Sequence, residues 1–204
     1  AVQLAKKYNS EIFVLHSMEM PLHLASTGDS GSLPESLFFI NTVIREDKFL
    51  AKPYYLKGLW YENQGVNNLA ISSYQTAIER NSNYYDAYLA LGTIHDKIDN
   101  PLAIEYFNSA LSIHPNSIEA WRGKAMSYFN HQELEKAYTC FDTILSIDST
   151  FEVSYFDMGR TLIDLCYVDN PKEKNDSLLT EAITNFDKAL SINSNYVPAR
   201  YNRA

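Results

Sequence analysis

Apolar residues recur at helical spacing along most of the chain, and the recurrence itself returns about every 34 residues. In the stretch 85–117, Tyr88, Leu91, Gly92 and His95 stand at i, i+3, i+4 and i+7, on one face of a helix. Asp99, Asn100 and Pro101 interrupt the pattern, with Pro101 placed near the first turn of a second helix, where its missing N–H costs nothing. Ala103, Phe107, Ala110 and Leu111 then share a face, and His114, Pro115 and Asn116 close the segment. The unit is a helical hairpin. The same reading predicts helices over 53–63, 67–80, 85–98, 101–113, 118–130 and 134–147, with others over 34–46 and about 177–192.

The hairpin has three further copies. One carries Tyr54, Gly58, Tyr61, Ala70, Tyr74 and Ala77; another Trp121, Ala125, Tyr128, Ala137 and Phe141; a third Tyr155, Gly159, Leu162, Ala182, Phe186 and Ala189. These residues resemble the tetratricopeptide repeat, whose pattern runs aromatic-x2-Leu-Gly-x2-Tyr, Ala-x3-Phe, Ala, Pro. The departures are a turn one residue short after His95, Ile144 at a normally small position, and Ser82, Ser149 and Ser194 where proline is usual. None of these breaks a helix. Small residues are needed where two backbones approach, and Gly58 with Ala70, Gly92 with Ala103, Ala125 with Ala137 and Gly159 with Ala182 supply them. Tyr74, Phe107, Phe141 and Phe186 fill the space beside them. One hairpin cannot bury both faces, so the units stack. The resemblance implies an all-α fold, an α-solenoid of antiparallel helix pairs wound as a right-handed superhelix with a concave and a convex wall.

In chain order, the expectation is a single array over 1–204. Residues 1–8 end a truncated repeat, 9–50 form a degenerate repeat, and 51–84, 85–117 and 118–151 are regular. Residues 152–196 hold a repeat with an inserted loop, and 197–204 begin another truncated one. In the degenerate repeat Asn9 and Ser10 can cap a helix that Pro21 kinks or ends, and Ile40, Val43 and Ile44 keep register in its second helix. The stretch 25–33 is loop-like, with Gly28 and Gly31. It reads as a widened turn rather than a phosphate cradle, because its spacing fits no glycine fingerprint and no Lys follows. Between Leu165 and Leu179 about eleven extra residues, charged and bearing Pro171, are expected as a surface loop that costs little to close. Starting without Met and stopping inside a helix, the chain is expected to be part of a longer array.

Composition narrows the partners. The chain is 46% apolar with 15 Tyr, suited to half-wet helix interfaces. A net charge of −8 argues against nucleic acid, which needs a clustered excess of Lys and Arg. No run of 18 apolar residues or signal segment is present. Cys140 and Cys166 are too few for a disulfide framework and read as free core-type thiols. The compartment stays open between cytoplasmic and periplasmic or lipid-anchored; the Ser-Ile closings of the repeats look like those of bacterial exported or lipid-anchored arrays.

No reactive constellation emerges. His95 replaces the Tyr of the packing stripe and reads as an interface histidine; no metal-ligand arrangement, nucleophile elbow or Walker segment accompanies it, and no cofactor or enzymatic activity is expected. Families built on this repeat mostly bind peptides or proteins on the wall formed by the first helix of each unit. Carried over by position, that wall comprises Tyr55, Leu59 and Glu62; Leu89, Thr93 and Asp96; Arg122, Met126 and Phe129; and Phe156, Arg160 and Ile163. Arg122 and Arg160 are the candidate anchors for an acidic or C-terminal carboxylate group. The asparagines of the chaperone-tail clamp are replaced by Leu59 and Ala90, so that partner is not expected. The resemblance implies a non-catalytic scaffold for a protein or peptide; alternatives are self-assembly through the array ends or docking for an enzyme whose catalytic domain lies outside this chain.

Overall fold

The computed structural model describes residues 35–167 and 172–203. The expectations for 1–34, including the kink at Pro21 and the turn at Gly28 and Gly31, lie outside the described residues. Within them the order is α1 (Glu35–Glu46), α2 (Ala51–Asn63), α3 (Asn67–Arg80), α4 (Tyr85–Lys97), α5 (Leu102–Ile113), α6 (Ile118–Asn130), α7 (Leu134–Ile147), α8 (Glu152–Cys166), α9 (Lys172–Ile192) and α10 (Val197–Arg203). This is the α-solenoid of antiparallel pairs that the pattern predicts. The chain divides into two compact units, Ala1–Ile94 and His95–Ala204, with the division inside α4.

Turn chemistry explains the helix boundaries. After α2, α4 and α6, the residues Gly65, Asp99 and Gln132 adopt φ of 72°, 53° and 61°. Each turn closes with the same two bonds: the left-handed residue donates three residues back and its successor donates five back, as Asp99 to Asp96 and Asn100 to His95. Where proline is missing from the second turn, an Asx turn replaces it. Asn81 accepts from the N–H of Asn83 at 3.1 Å, Asp148 from Thr150 at 2.8 Å, and Asn193 from Asn195 at 3.2 Å. Asp47 does the same for Phe49 at 3.0 Å, between α1 and α2. Ser117 caps α6 by accepting from Ala120.

In the first unit, α1 packs on α2 and α2 on α3. Ile40 and Leu56 are buried together, with Phe39, Ile44, Leu59 and Trp60 against them. Tyr74 of α3 is fully buried, and its ring lies so near Gly58 that a Cβ there would come within 2.4 Å. Its hydroxyl donates to Glu62 at 2.8 Å, and burial together with that carboxylate raises the phenol well above its ordinary range. Burying an aromatic side chain in this way contributes about 1.5–3 kcal/mol.

In the second unit the helices α5 to α10 pack each on the next. Phe107 of α5 covers Gly123 of α6, where a Cβ would lie 2.5 Å from the ring. Ala125, Ala137, Cys140, Phe141, Ile144 and Met158 form one core; Phe156, Leu162, Ala182, Phe186, Ala189 and Ala199 form the next. Ile144, large where the pattern wants a small residue, is fully buried in the first of these. Cys140 is buried, which pushes its thiol up; the exposure of Cys166 is intermediate.

The inserted residues of the last repeat correct the sequence reading. They are not mainly a loop: relative to α6 and α7, α8 is two residues longer and α9 seven, at 21 residues against 14 for α7. Pro171 directly precedes α9 in the sequence, where proline is favoured, and Lys172, Glu173 and Lys174 after it are good helix formers, which offsets the weaker Asn175, Asp176 and Ser177.

Candidate binding site

The predicted wall residues fall in both units, and each group has its own surroundings. In the first, Tyr55 packs between the rings of Tyr74 and Tyr84, at 5.6 and 5.2 Å between centroids. Leu59 leans on the Ile40–Leu56 core, Glu62 accepts from Tyr74, and the Thr93 hydroxyl donates to the carbonyl of Leu89 at 3.0 Å. All five, Leu89 included, are half-buried. A cleft of about 170 Å³ on this unit is lined by Tyr54, Lys57, Tyr61, Leu69, Ser72, Ser73 and Thr76, none of them a predicted wall residue.

The second unit holds Asp96, Arg122, Met126, Phe129, Phe156, Arg160 and Ile163, and several of these meet. The Arg160 guanidinium lies over the rings of Phe129 at 4.9 Å and Phe156 at 5.8 Å. Phe156 is 8% exposed and packs against Phe186 and, edge-on, against Tyr196; it belongs to the core beneath the face. Met126 and Phe129 flank the Phe141 core and Ile163 the Phe186 core, each half-buried. One Asp96 carboxylate oxygen is buried without a hydrogen-bond partner.

The two arginines converge on a residue that the repeat pattern does not single out. Asp157 of α8 is 5% exposed; Nε of Arg122 stands 3.7 Å from its Oδ2, and an Nη of Arg160 stands 3.7 Å from its Oδ1. Both contacts are ion pairs too long for hydrogen bonds, and Oδ2 has no hydrogen-bond partner. Burial raises the Asp157 carboxyl above the ordinary aspartate range, with the two arginines pulling the other way. Glu152, at the start of the same helix, is engaged by Asn193 at 3.3 Å. Burial and the charge of Asp157 push the Tyr196 phenol up.

Asp157 had a signal in the sequence. It stands where the other copies carry Leu56, Ala90 and Gly123, so a charge occupies an otherwise apolar or small position. His95 is the other polar residue in a core place. It is 7% exposed and stacked on Tyr106 at 5.1 Å; neither ring nitrogen has a partner, and burial lowers its pKa. Among the described residues no three His, Cys, Asp or Glu are grouped to hold a metal, and no helix is long and apolar enough to cross a membrane.

Comparison with known proteins agrees with the fold. Residues 51–84 and 86–117 each match a family model described as tetratricopeptide repeat. Superkiller protein 3 of Saccharomyces cerevisiae is 28% identical over 119 residues, 58% of this chain and 8% of that protein. The match therefore spans a small part of that curated relative. YrrB, described as a TPR protein with an unusual peptide-binding site, superposes with TM-score 0.66 at 23% identity, covering 81% of this chain and 80% of its own. MamA gives TM-score 0.67 at 21% identity, covering 79% and 89%.

Proposed function

Because the chain carries tetratricopeptide repeats, we propose that it is a non-catalytic protein-interaction scaffold, binding a peptide or protein segment on the face of its repeats' first helices. The supporting observation is the second unit's face, where Met126, Phe129 and Ile163 stay half-buried beside two partly open arginines. Half-buried aromatic, Met and Arg side chains are the composition of binding surfaces. Residues Tyr55, Leu59, Glu62, Leu89 and Thr93 are the corresponding contact set of the first unit, and the partner is a protein rather than nucleic acid.

The test is affinity capture from a native extract with two double variants. Phe129→Ala with Arg160→Ala is expected to abolish retention of the partner and keep the helical circular dichroism signal, since truncating an interface anchor costs about 2 kcal/mol or more. Asn108→Ala with Asp142→Ala, exposed on second helices, is expected to keep the partner. Equal effects from the two pairs would reject the first-helix face. A second reading, self-assembly, is favoured by exposed Leu179 and Ile183 one turn apart on α9 and by exposed Ile192 and Val197. Light scattering that gives one protomer mass across a concentration series would remove it.

A further inference from the structure

Asp157 gives the arginine pair a chemistry of its own. Two positive groups and one negative group leave a single net positive charge on a chain whose total is −8. Neither guanidinium comes within hydrogen-bond distance of the carboxylate it faces, at 3.7 Å in both contacts, and Oδ2 of Asp157 has no hydrogen-bond partner. Both stay partly open, with side chains 47% and 39% exposed, while the aspartate between them is almost wholly enclosed. On one side the rings of Phe129 and Phe156 keep water from Arg160, which strengthens any charge interaction there. Of the further acids on these helices, Glu152 is engaged by Asn193, and neither Glu119 nor Asp164 forms an ion pair with the two arginines, whose partner is Asp157.

We propose that Arg122, Asp157 and Arg160 form a receptor for one carboxylate of a bound segment, and that Asp157 sets its preference for a monoanionic carboxylate over a dianionic phosphate. The inference rests on the peptide-binding reading above and names the chemistry of the segment. A planar carboxylate matches the guanidinium fork in bidentate geometry and brings the cluster to neutrality. A phosphate dianion would overshoot, leaving one unbalanced negative charge beside an aspartate that is itself buried and short of a donor. Asp157 is thus a specificity-determining residue that acts through the two arginines. The source of the carboxylate, a chain terminus or an acidic side chain, is shared chemistry that the probes below separate.

The arginine Nε–Hε resonances of the isotopically labelled full chain report the site directly. Sodium acetate is expected to shift Arg122 and Arg160 together and saturably, while Arg45 and Arg80 follow a sodium chloride control. Inorganic phosphate is expected to bind the parent more weakly than acetate. In Asp157→Asn, with one like charge removed, phosphate should tighten by about tenfold and acetate by less. Arg122→Gln, at an open side chain, should erase the acetate response at Arg160 even if Asp157→Asn does not fold. Two tripeptides ending in Leu-Phe, one with a free carboxylate and one amidated, and an acetylated amidated peptide with one Glu then identify the source. The receptor is overturned if acetate moves neither arginine beyond the chloride control, if phosphate binds the parent as tightly as acetate, or if Arg122→Gln leaves the Arg160 response intact. A silent acetate titration alongside loss of capture in the Phe129→Ala, Arg160→Ala variant would sink the receptor and keep the scaffold reading; a positive titration with unaffected capture would do the reverse.

Discussion

Gly159→Ala puts one methyl group into a close contact between α8 and α9. Built on the observed backbone, the new Cβ would lie 2.5 Å from Cε1 of Phe186 and 2.8 Å from Cδ1 and Cζ. Carbon atoms prefer about 3.5–4.0 Å, so the ring must retreat by roughly 1 Å. It has nowhere to go, because Phe186 is fully buried and packs against Phe156. Overpacking of a core costs about 1–3 kcal/mol, and an enclosed ring places this site near the upper end. Alanine's better helix propensity returns about 1 kcal/mol, which leaves a net loss of about 2 kcal/mol. For a chain of this size that is a fall of roughly 4–8 °C in melting temperature. Urea unfolding followed by circular dichroism at 222 nm measures it, and Phe186→Leu completes a double-mutant cycle. With the ring gone, the added methyl group should recover at least about 1 kcal/mol of coupling. Gly65→Ala serves as the contrast: φ is 72° with no atom within 4 Å of the Cβ, so its cost is backbone strain of about 1 kcal/mol, with no coupling to any ring. An unchanged or raised midpoint for Gly159→Ala, or a strictly additive cycle, would refute the close-packing argument.

Two pH effects follow from the buried polar groups. Burial raises the Asp157 carboxyl, so as pH rises above the ordinary aspartate value of about 3.9 the unfolded chain gives up this proton before the folded one does, and the group's contribution to stability falls. The stability of the parent minus that of Asp157→Asn should therefore decline from pH 4 upward in urea titrations; a flat or rising difference contradicts the assignment. His95 has the opposite sign. Its pKa is lowered, so the unfolded chain takes the proton first, and stability is lost as pH falls below the ordinary histidine value of about 6.5. His95→Tyr, which restores the residue usual at that place, should remove this loss between pH 7.5 and 5.5, and a variant as acid-sensitive as the parent would count against a buried neutral imidazole.

The helices were legible because periodicity and turn chemistry agree. For α3, α6 and α7 the expected limits coincide with the observed ones, and after α3 and α7 the side chains of Asn81 and Asp148 close the turn. The insertion was misread because charge and proline argue for a loop, while the run after Pro171 also has helical propensity that only its packing partner decides. At the candidate site, repeat position gave Arg122 and Arg160 but not what they face. Asp157 lies one residue away from the wall position Phe156, and a template that assigns alternate fates to neighbouring positions counts it as interior. Its charge is the exception to that template, and exceptions of this kind are visible only when copies are compared position by position. Tyr196, which packs on Phe156, is the last residue of that repeat and lies beyond the end of α9, so the helical spacing that assigns the wall does not bring it in.

The seven residues by which α9 exceeds α7 are close to two full turns of helix, about 7.2 residues, and add about 10 Å along its axis. An addition of that size leaves the rotational phase of the helix almost unchanged. Ala182, Phe186 and Ala189 therefore meet α8 as their counterparts meet the preceding helix in an ordinary unit, whatever stands upstream of them. Length and docking are decoupled: a change of two turns at the start of α9 keeps its first residues on the same side of the helix, whereas a change of one turn and a half puts them on the opposite side without disturbing the docked face.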